Sequence, residues 1–441
     1  MNNLFEVREF DIIASSAERK DDTSYRYLPP AQFAKLVRFV QNFSGEEDSS
    51  DVLNFLQLGY SRHVGQIVRV KNYVGLIQVD NTLQLQVYPK ISVGDGDDTG
   101  YLRTKKVFMK MLCSMKDFPS KVFSSASLKV ERMSIFELFI SMYIHDVRQL
   151  VRYGIKSGYV AEEGNLCYYK GKLKVSQHIK ENIAHKERFY LAYDEFCPDC
   201  AENALLKATL QLLQKITTSA ENAKEIRQLL VHFEMVHASI NYAGDFAKAV
   251  ITRANKHYKG LLQWSAFFLY GRSFTVFAGR DTAKSLLFPM ETVYERYVAY
   301  EMQEVMGDSW EIAVQKTTYH LFTEPDKKFA LRPDIILKKR GGYPKIILMD
   351  TKWKHLTNAA GSSYGISQSD MYQMYAYSKK YGTSEIWLLY PINDAIRKEG
   401  NREPVKFVSE DKNSKTEVNV YFVDLDKIEE SLEILKSRLE E

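Results

Sequence analysis

Asp334, Asp350 and Lys352 are the residues whose types and spacing could do chemistry. Leu331-Arg332-Pro333-Asp334-Ile335-Ile336-Leu337 and Ile346-Ile347-Leu348-Met349-Asp350-Thr351-Lys352 are two apolar, β-like runs. Lys338-Lys339-Arg340-Gly341-Gly342 reads as a turn between them, which predicts an antiparallel hairpin. Side chains alternate along a strand, so Asp350 and Lys352 share a face, and Asp334, at the start of the neighbouring strand, can reach it. Two carboxylates beside a fixed ammonium form a small divalent-metal site. Phosphodiester hydrolysis uses such a site: oxygen-ligated Mg2+ polarises the phosphate and lowers the pKa of a water, while a lysine holds that water or offsets developing charge. A lone Asp-x-Lys is common on solvated hairpins. The apolar flanks and the Pro-Asp on the partner strand favour chemistry here.

Elements predicted around these residues can position them. Pro289 opens a helix to about Met306, with Tyr294, Tyr297, Val298 and Met302 suited to packing. Glu291 and Glu295, four apart, share one of its faces. A strand over 311–322, the Asp334 strand, the Asp350 strand, a helix over about 368–380 and a strand over 385–390 follow. Gln373 and Tyr377 are four apart on that second helix, so both can address one site. A final strand over 417–423 and a charged C-terminal helix complete the region. The order α-β-β-β-α-β predicts a mixed sheet with helices on it, within a multidomain α+β and α/β chain.

Upstream, residues 1–125 read as a β-rich interaction domain. It holds a short helix over 31–43, with Phe33, Leu36, Val37 and Val40 at helical spacing, then strands at 67–70, 74–79 and 83–88. The acidic, glycine-rich run 92–100 reads as a mobile loop. Its Asp95 and Asp97 mimic the start of a calcium loop, but Lys106 stands where the closing glutamate belongs. Residues 126–285 read as a mainly helical middle domain, with helices over 134–153, 201–217 and 222–233. Between the first two, 166–175 reads as extended. There Lys170, Lys172 and Lys174 would face one way, as a solvated stripe or as a DNA-binding surface that contacts phosphates. Residues 286–441 form the third domain.

Composition sets the limits. A length of 441 residues suggests two or three domains, and 45% hydrophobic with 26% charged residues is globular. A formal charge of +4 confines nucleic-acid binding to local patches. The N-terminus has no secretory pattern and no window approaches ~18 apolar residues, so no membrane span is expected. Four cysteines fit a reducing, cytoplasmic setting. Cys197-Pro-Asp-Cys200 has no second close pair to complete a zinc or iron-sulfur site. No G-x-x-x-x-G-K-[ST] loop occurs.

Pro333-Asp334 and Asp350-x-Lys352, in that element order, resemble the PD-(D/E)xK nuclease superfamily. Gln373-Met-Tyr-Ala-Tyr377 resembles the Q-x-x-x-Y motif of its RecB-like branch. Glu295 resembles the acid this branch places on its first helix, with Glu291 the competing candidate. Pro289 to Val298, Leu331 to Ile335 and Asp350 to Lys354 further resemble McrC, the nuclease subunits of McrBC-type modification-dependent restriction systems. So do Tyr73-Val-Gly75, Val87 to Ile91, Gly171-Lys-Leu173 and His178 to Asn182.

The resemblance implies Mg2+ (with Mn2+ able to substitute) held by Asp334 and Asp350, and Lys352, Glu295, Gln373 and Tyr377 serving catalysis. It also implies an McrB-like AAA+ GTPase hexamer as partner, with residues 1–125 docking on the ring and stimulating hydrolysis, and double-stranded, methylated DNA as target. Two other readings are a non-cleaving assembly and GTPase-activating subunit, and a stand-alone RecB-like repair nuclease. A neighbouring gene that encodes a GTPase with a Walker loop would support the restriction reading, while the stand-alone reading predicts activity on DNA ends without any partner or methylation.

Overall fold

Ile335-Ile336-Leu337 and Ile347-Leu348-Met349 are apolar at every position, not at alternate ones, and all six are buried. Strands covered on both faces read this way. In the computed structural model they lie inside a six-stranded sheet. The structure describes residues 3–16, 24–43, 55–80, 83–90, 98–115, 118, 134–253, 255–270, 285–324, 326–341, 345–354, 356, 360–393, 396–397, 404–411 and 414–440. Of the loop predicted over 92–100, residues 92–97 lie outside them, and 98–100 are helical instead.

The spatial order of that sheet is Trp310–Val314, Ile335–Lys339, Ile346–Thr351, Glu385–Pro391, Ser414–Val423, Val405–Asp411. Ile335–Lys339 pairs antiparallel with both of its neighbours, so the predicted hairpin is present. Ile346–Thr351, Glu385–Pro391 and Ser414–Val423 then run parallel, and Val405–Asp411 returns antiparallel. Parallel neighbours need a crossover. Helix Gln368–Tyr381 provides the first one. Its Met374 and Tyr377 pack with Leu348, Ile386, Leu388 and Val420 of the sheet. Helices Met290–Met306 and Ile428–Glu440 pack against each other.

Two predictions about this region need correction. The strand expected over 311–322 is broken: Trp310–Val314 joins the large sheet, while Tyr319–Phe322 pairs separately with Lys328–Leu331. Gln315 lies between them at φ 48, a left-handed value that no strand sustains. The strand Val405–Asp411 was not predicted. Its Lys406, Glu410 and Asp411 give it the polar pattern of an edge.

The N-terminal residues build two further sheets. One orders Asn3–Arg8, Leu83–Tyr88, Tyr73–Gln78 and Ser285–Pro289; the other Arg26–Tyr27, Ile12–Ala14, Gly65–Val70 and Leu56–Ser61. Helix Pro30–Phe43 buries Phe33, Leu36, Val37 and Val40 against them. Ser285–Pro289 runs across the predicted 285/286 boundary and pairs antiparallel with Tyr73–Gln78. A helix, Asp98–Ser114, occupies a stretch read as mainly β. Its Val107, Phe108, Met111 and Leu112 recur at helical spacing and are buried.

By compactness the chain divides into two units, residues 1–125 with 273–441, and residues 126–272. The second unit has helices Ile135–Tyr153, Ala201–Ile216, Ala220–Val231, Tyr242–Lys248 and Tyr258–Tyr270. It also has an antiparallel ribbon of Gly158–Leu166 and Phe189–Cys197, with Lys172–Leu173 on its edge. The run expected to be extended over 166–175 is extended only at its first residue, Leu166, and at Lys172–Leu173. Gly171 turns the chain there at φ 74, where a Cβ would collide with Ala192 O. No helix among the described residues is long and apolar enough to cross a membrane.

Helix Gln368–Tyr381 ends on Gly382 at φ 65, whose amide bonds Ser378 O. A Cβ at Gly382 would meet nothing within 4 Å. Gly382→Ala should therefore cost only the backbone penalty, about 1 kcal/mol, and Gly382→Asn less. Denaturant unfolding measures both, and a neutral alanine would refute this account of the cap.

Candidate active site

The hairpin register pairs Ile335 with Met349 and, one step further, places Asp334 opposite Asp350. Asp334 Oδ2 accepts hydrogen bonds from Thr351 N and Thr351 Oγ1, both at 2.7 Å. The strand that carries Asp350 therefore orients the other acid. Asp350 is 2% exposed. It lies near the C-terminal end of its strand, beside the parallel Glu385–Pro391, the end of such sheets where ligands bind.

Lys352 is held from two sides. Its Nζ lies 2.5 Å from Asp350 Oδ2 and donates to Gln373 Oε1 at 3.1 Å. Gln373 Nε2 donates to Tyr377 Oη at 2.9 Å, and Tyr377 donates to Arg332 O at 3.0 Å. Helix spacing thus becomes a relay: two side chains one turn apart join the lysine to the backbone just before Asp334. Of the predicted acids on the first helix, Glu295 belongs to this cluster by its electrostatics, because Asp334 and Asp350 both act on it. It is 8% exposed.

Burial pushes Glu295 up to about 7, with Asp334 and Asp350 adding repulsion. Burial also raises Asp350, Asp334 adds to the shift, and Lys352 opposes it. Asp334 is raised by burial against the two Thr351 bonds. For Lys352, burial alone would lower the ammonium, but Asp350, Asp370 and Asp334 carry it above its usual value. Asp350 Oδ2 and Glu295 Oε1 are buried with no hydrogen-bond donor aligned on them, and the lysine contact is an ion pair by proximity. Hard oxygen donors that repel one another suit a divalent cation. No group of three or more His, Cys, Asp or Glu side chains among the described residues is arranged to hold an ion by itself. Mg2+ commonly takes one or two carboxylates, with waters and substrate oxygens completing its shell. Asp334 and Asp350 fit that role.

Sequence reasoning missed three residues here. Asp370 lies 3.0 Å from Lys354 Nζ and 4.0 Å from Lys352 Nζ, and so braces both lysines. Ser367-x-x-Asp370 is a helix-capping signal, with Ser367 Oγ accepting from Asp370 N, and could have flagged it. Lys354 enters the sequence reading only through the family resemblance. Gln315 donates its amide to Asp334 O at 2.9 Å, and its side chain works against the upward shift of Glu295. No local pattern announces it.

The three lysines read as a possible DNA surface lie in the second unit. Lys170 Nζ is 3.6 Å from Glu195 and 4.4 Å from the Tyr193 ring centroid. Lys174 Nζ is 2.6 Å from Glu163, and Lys172 is exposed on the short edge strand. Cys197 closes the strand Phe189–Cys197, and Cys200 directly precedes helix Ala201–Ile216.

No curated protein matches the sequence. A chain of the refined half-complex from a tetradecameric assembly of Thermococcus gammatolerans McrB AAA+ hexamers with bound McrC has the same fold. The TM-score is 0.68 at 18% identity, covering 99% of this chain and 100% of that one. A chain of the cryo-EM structure of the T. gammatolerans McrBC complex matches with a TM-score of 0.46 at 18% identity, covering 69% and 88%. The family model described as McrBC 5-methylcytosine restriction system component matches residues 68–391. That span is most of the sequence, and the chain belongs to this McrBC component family, as its McrC-like motifs indicate.

Proposed function

We propose that this chain is the metal-dependent DNA endonuclease subunit of a modification-dependent restriction complex, with a PD-(D/E)xK core of the RecB-like kind. The observation that carries the reading is the placement of Lys352 Nζ between Asp350 Oδ2 and the Gln373–Tyr377 relay, with Asp334 across the hairpin. Asp334 and Asp350 would hold Mg2+ or Mn2+. That ion supplies Lewis-acid polarisation of a phosphate oxygen. Lys352 holds the attacking water and places positive charge where the phosphorane-like transition state gains negative charge. Gln373 accepts from the ammonium and so fixes its direction. Tyr377, tied to Arg332 O, keeps Gln373 in register with the Asp334 strand. Glu295, with its raised pKa, is suited to carry a proton at neutral pH and to give it up when a cation arrives.

The solved assembly with this fold consists of McrB AAA+ hexamers with bound McrC. An AAA+ ring of that type, hydrolysing GTP, is the proposed partner, and methylated double-stranded DNA the proposed substrate. Docking on the ring and stimulation of its hydrolysis are assigned to residues 1–125.

Asp350→Ala and Lys352→Ala should each lower Mg2+-dependent cleavage by about 100-fold or more while ring binding and GTPase stimulation persist. Tyr377→Phe breaks the relay without removing a ligand, and a loss of about tenfold is expected. Cutting by Asp350→Ala at the wild-type rate would refute the nuclease assignment. Stimulation of GTP hydrolysis by a wild type that never cuts would leave a scaffold.

The folded pKa of Glu295 lies above its unfolded value, so the folded chain retains more protons. Stability of the metal-free protein should therefore fall as pH rises from about 4.5 through about 7. Mg2+ should restore more at pH 8 than at pH 5.5. Thermal melts with and without the ion test both statements, and a pH-independent Mg2+ effect would contradict them.

A further inference from the structure

The buried carboxyl group of Glu9 has no part in the chemistry above, yet it reaches the nuclease site. Glu9 is fully buried. Both its oxygens accept from Trp353 Nε1, each at 3.1 Å, and Oε2 also accepts from Lys90 N at 3.0 Å. Its own amide donates to Tyr88 O, so it is tied to the ends of the parallel strands Asn3–Arg8 and Leu83–Tyr88. The chain delivers it through a tight turn in which Phe10 adopts φ 65. Arg8 N donates to Asp11 Oδ2 at 2.8 Å and Asp11 N to Arg8 O, which closes that turn. A bulky residue at positive φ persists only where its surroundings over-determine it, and such strain gathers at functional sites.

Trp353 immediately follows Lys352. The flanking Lys352 and Lys354 both approach Asp370, while Trp353 turns to Glu9. Its ring also meets Tyr294 at 5.3 Å between centroids, and Tyr294 immediately precedes Glu295. The indole next in the chain to the lysine thus touches the residue next in the chain to the third acid. A carboxyl buried this deeply is costly, and an apolar residue would fill the space at lower cost. What the carboxyl adds is direction, because its two oxygens fix the indole N–H and with it the ring.

On the nuclease reading above, we propose that Glu9 is a positioning residue of the cutting site: by fixing Trp353 it sets where Lys352 and Glu295 stand. The N-terminal sheet therefore forms part of the nuclease scaffold. Burial pushes Glu9 up to about 8, with the nearby Lys90 lowering it and Glu291 raising it. The contact therefore titrates in a range where enzymes are assayed.

The test uses the full chain with its AAA+ partner, DNA and Mg2+, comparing wild type with Glu9→Ala, Glu9→Gln and Trp353→Phe. Glu9→Ala should lower kcat between about 10- and 100-fold with DNA affinity unchanged, as small misplacements of catalytic groups do. Glu9→Gln keeps an acceptor for the indole and should recover most of the rate; Trp353→Phe should behave like Glu9→Ala. Fluorine NMR of 5-fluorotryptophan protein, with the Trp353 signal identified by its loss in Trp353→Phe, reads the contact without reference to activity. That signal should move in Glu9→Ala, and in the wild type it should titrate near pH 8 but not in Glu9→Gln. The proposal is overturned by an unmoved signal in Glu9→Ala, by an unchanged kcat, or by a rate loss that vanishes at temperatures where the variant is fully folded. A wild type inert on all DNA would sink the nuclease reading itself. The fluorine signal would then decide the contact alone, displaced in support or unmoved against it.

Discussion

Everything at the candidate site answers to one electrostatic constraint: Asp334, Asp350 and Glu295 share a poorly hydrated corner with the Lys352 ammonium. Burial pushes Asp334, Asp350 and Glu295 toward the neutral form, and Asp334 adds repulsion on the other two. Lys352 offsets part of that cost and is itself held charged by the acids. Such an arrangement is poorly satisfied by protein alone. Hard oxygen donors crowded in this way suit a divalent cation.

The surrounding fold holds these groups within reach of one another. Antiparallel pairing sets the two aspartates face to face, and the Thr351 bonds keep Asp334 from swinging toward solvent. The crossover helix sits over the same strands, so Gln373 and Tyr377 arrive as one rigid element. Asp370, at the start of that helix, steadies both lysines of the Lys-Trp-Lys run. Loss of any of these supports would leave the same side chains loosely aimed.

Short-range pattern carried much of this into the sequence. The apolar runs about Asp334 and Asp350, the Asp-x-Lys alternation and the four-residue spacing of Gln373 and Tyr377 are local facts, and local geometry follows from them. Pairing between distant segments is different. Nothing near Ser285–Pro289 says that it completes a sheet begun at Tyr73, and nothing near Glu9 points to an indole 344 positions away. Helix Asp98–Ser114 was obscured because lysines interrupt its apolar face and β-like runs precede it. Gln315 was hidden inside an apparent strand, since a left-handed residue leaves no compositional trace unless it is glycine or asparagine.

The strand Ser285–Pro289 has a practical meaning for anyone who would divide the protein. It closes one edge of the N-terminal sheet, and helix Met290–Met306 begins at the very next residue. An N-terminal fragment that ends before this strand would leave a row of bare amide and carbonyl groups along Tyr73–Gln78. Open edges of this kind invite other chains to add themselves. Fragments and chimaeras should therefore keep Ser285–Pro289 together with its sheet partner, or expect sticky, poorly soluble material.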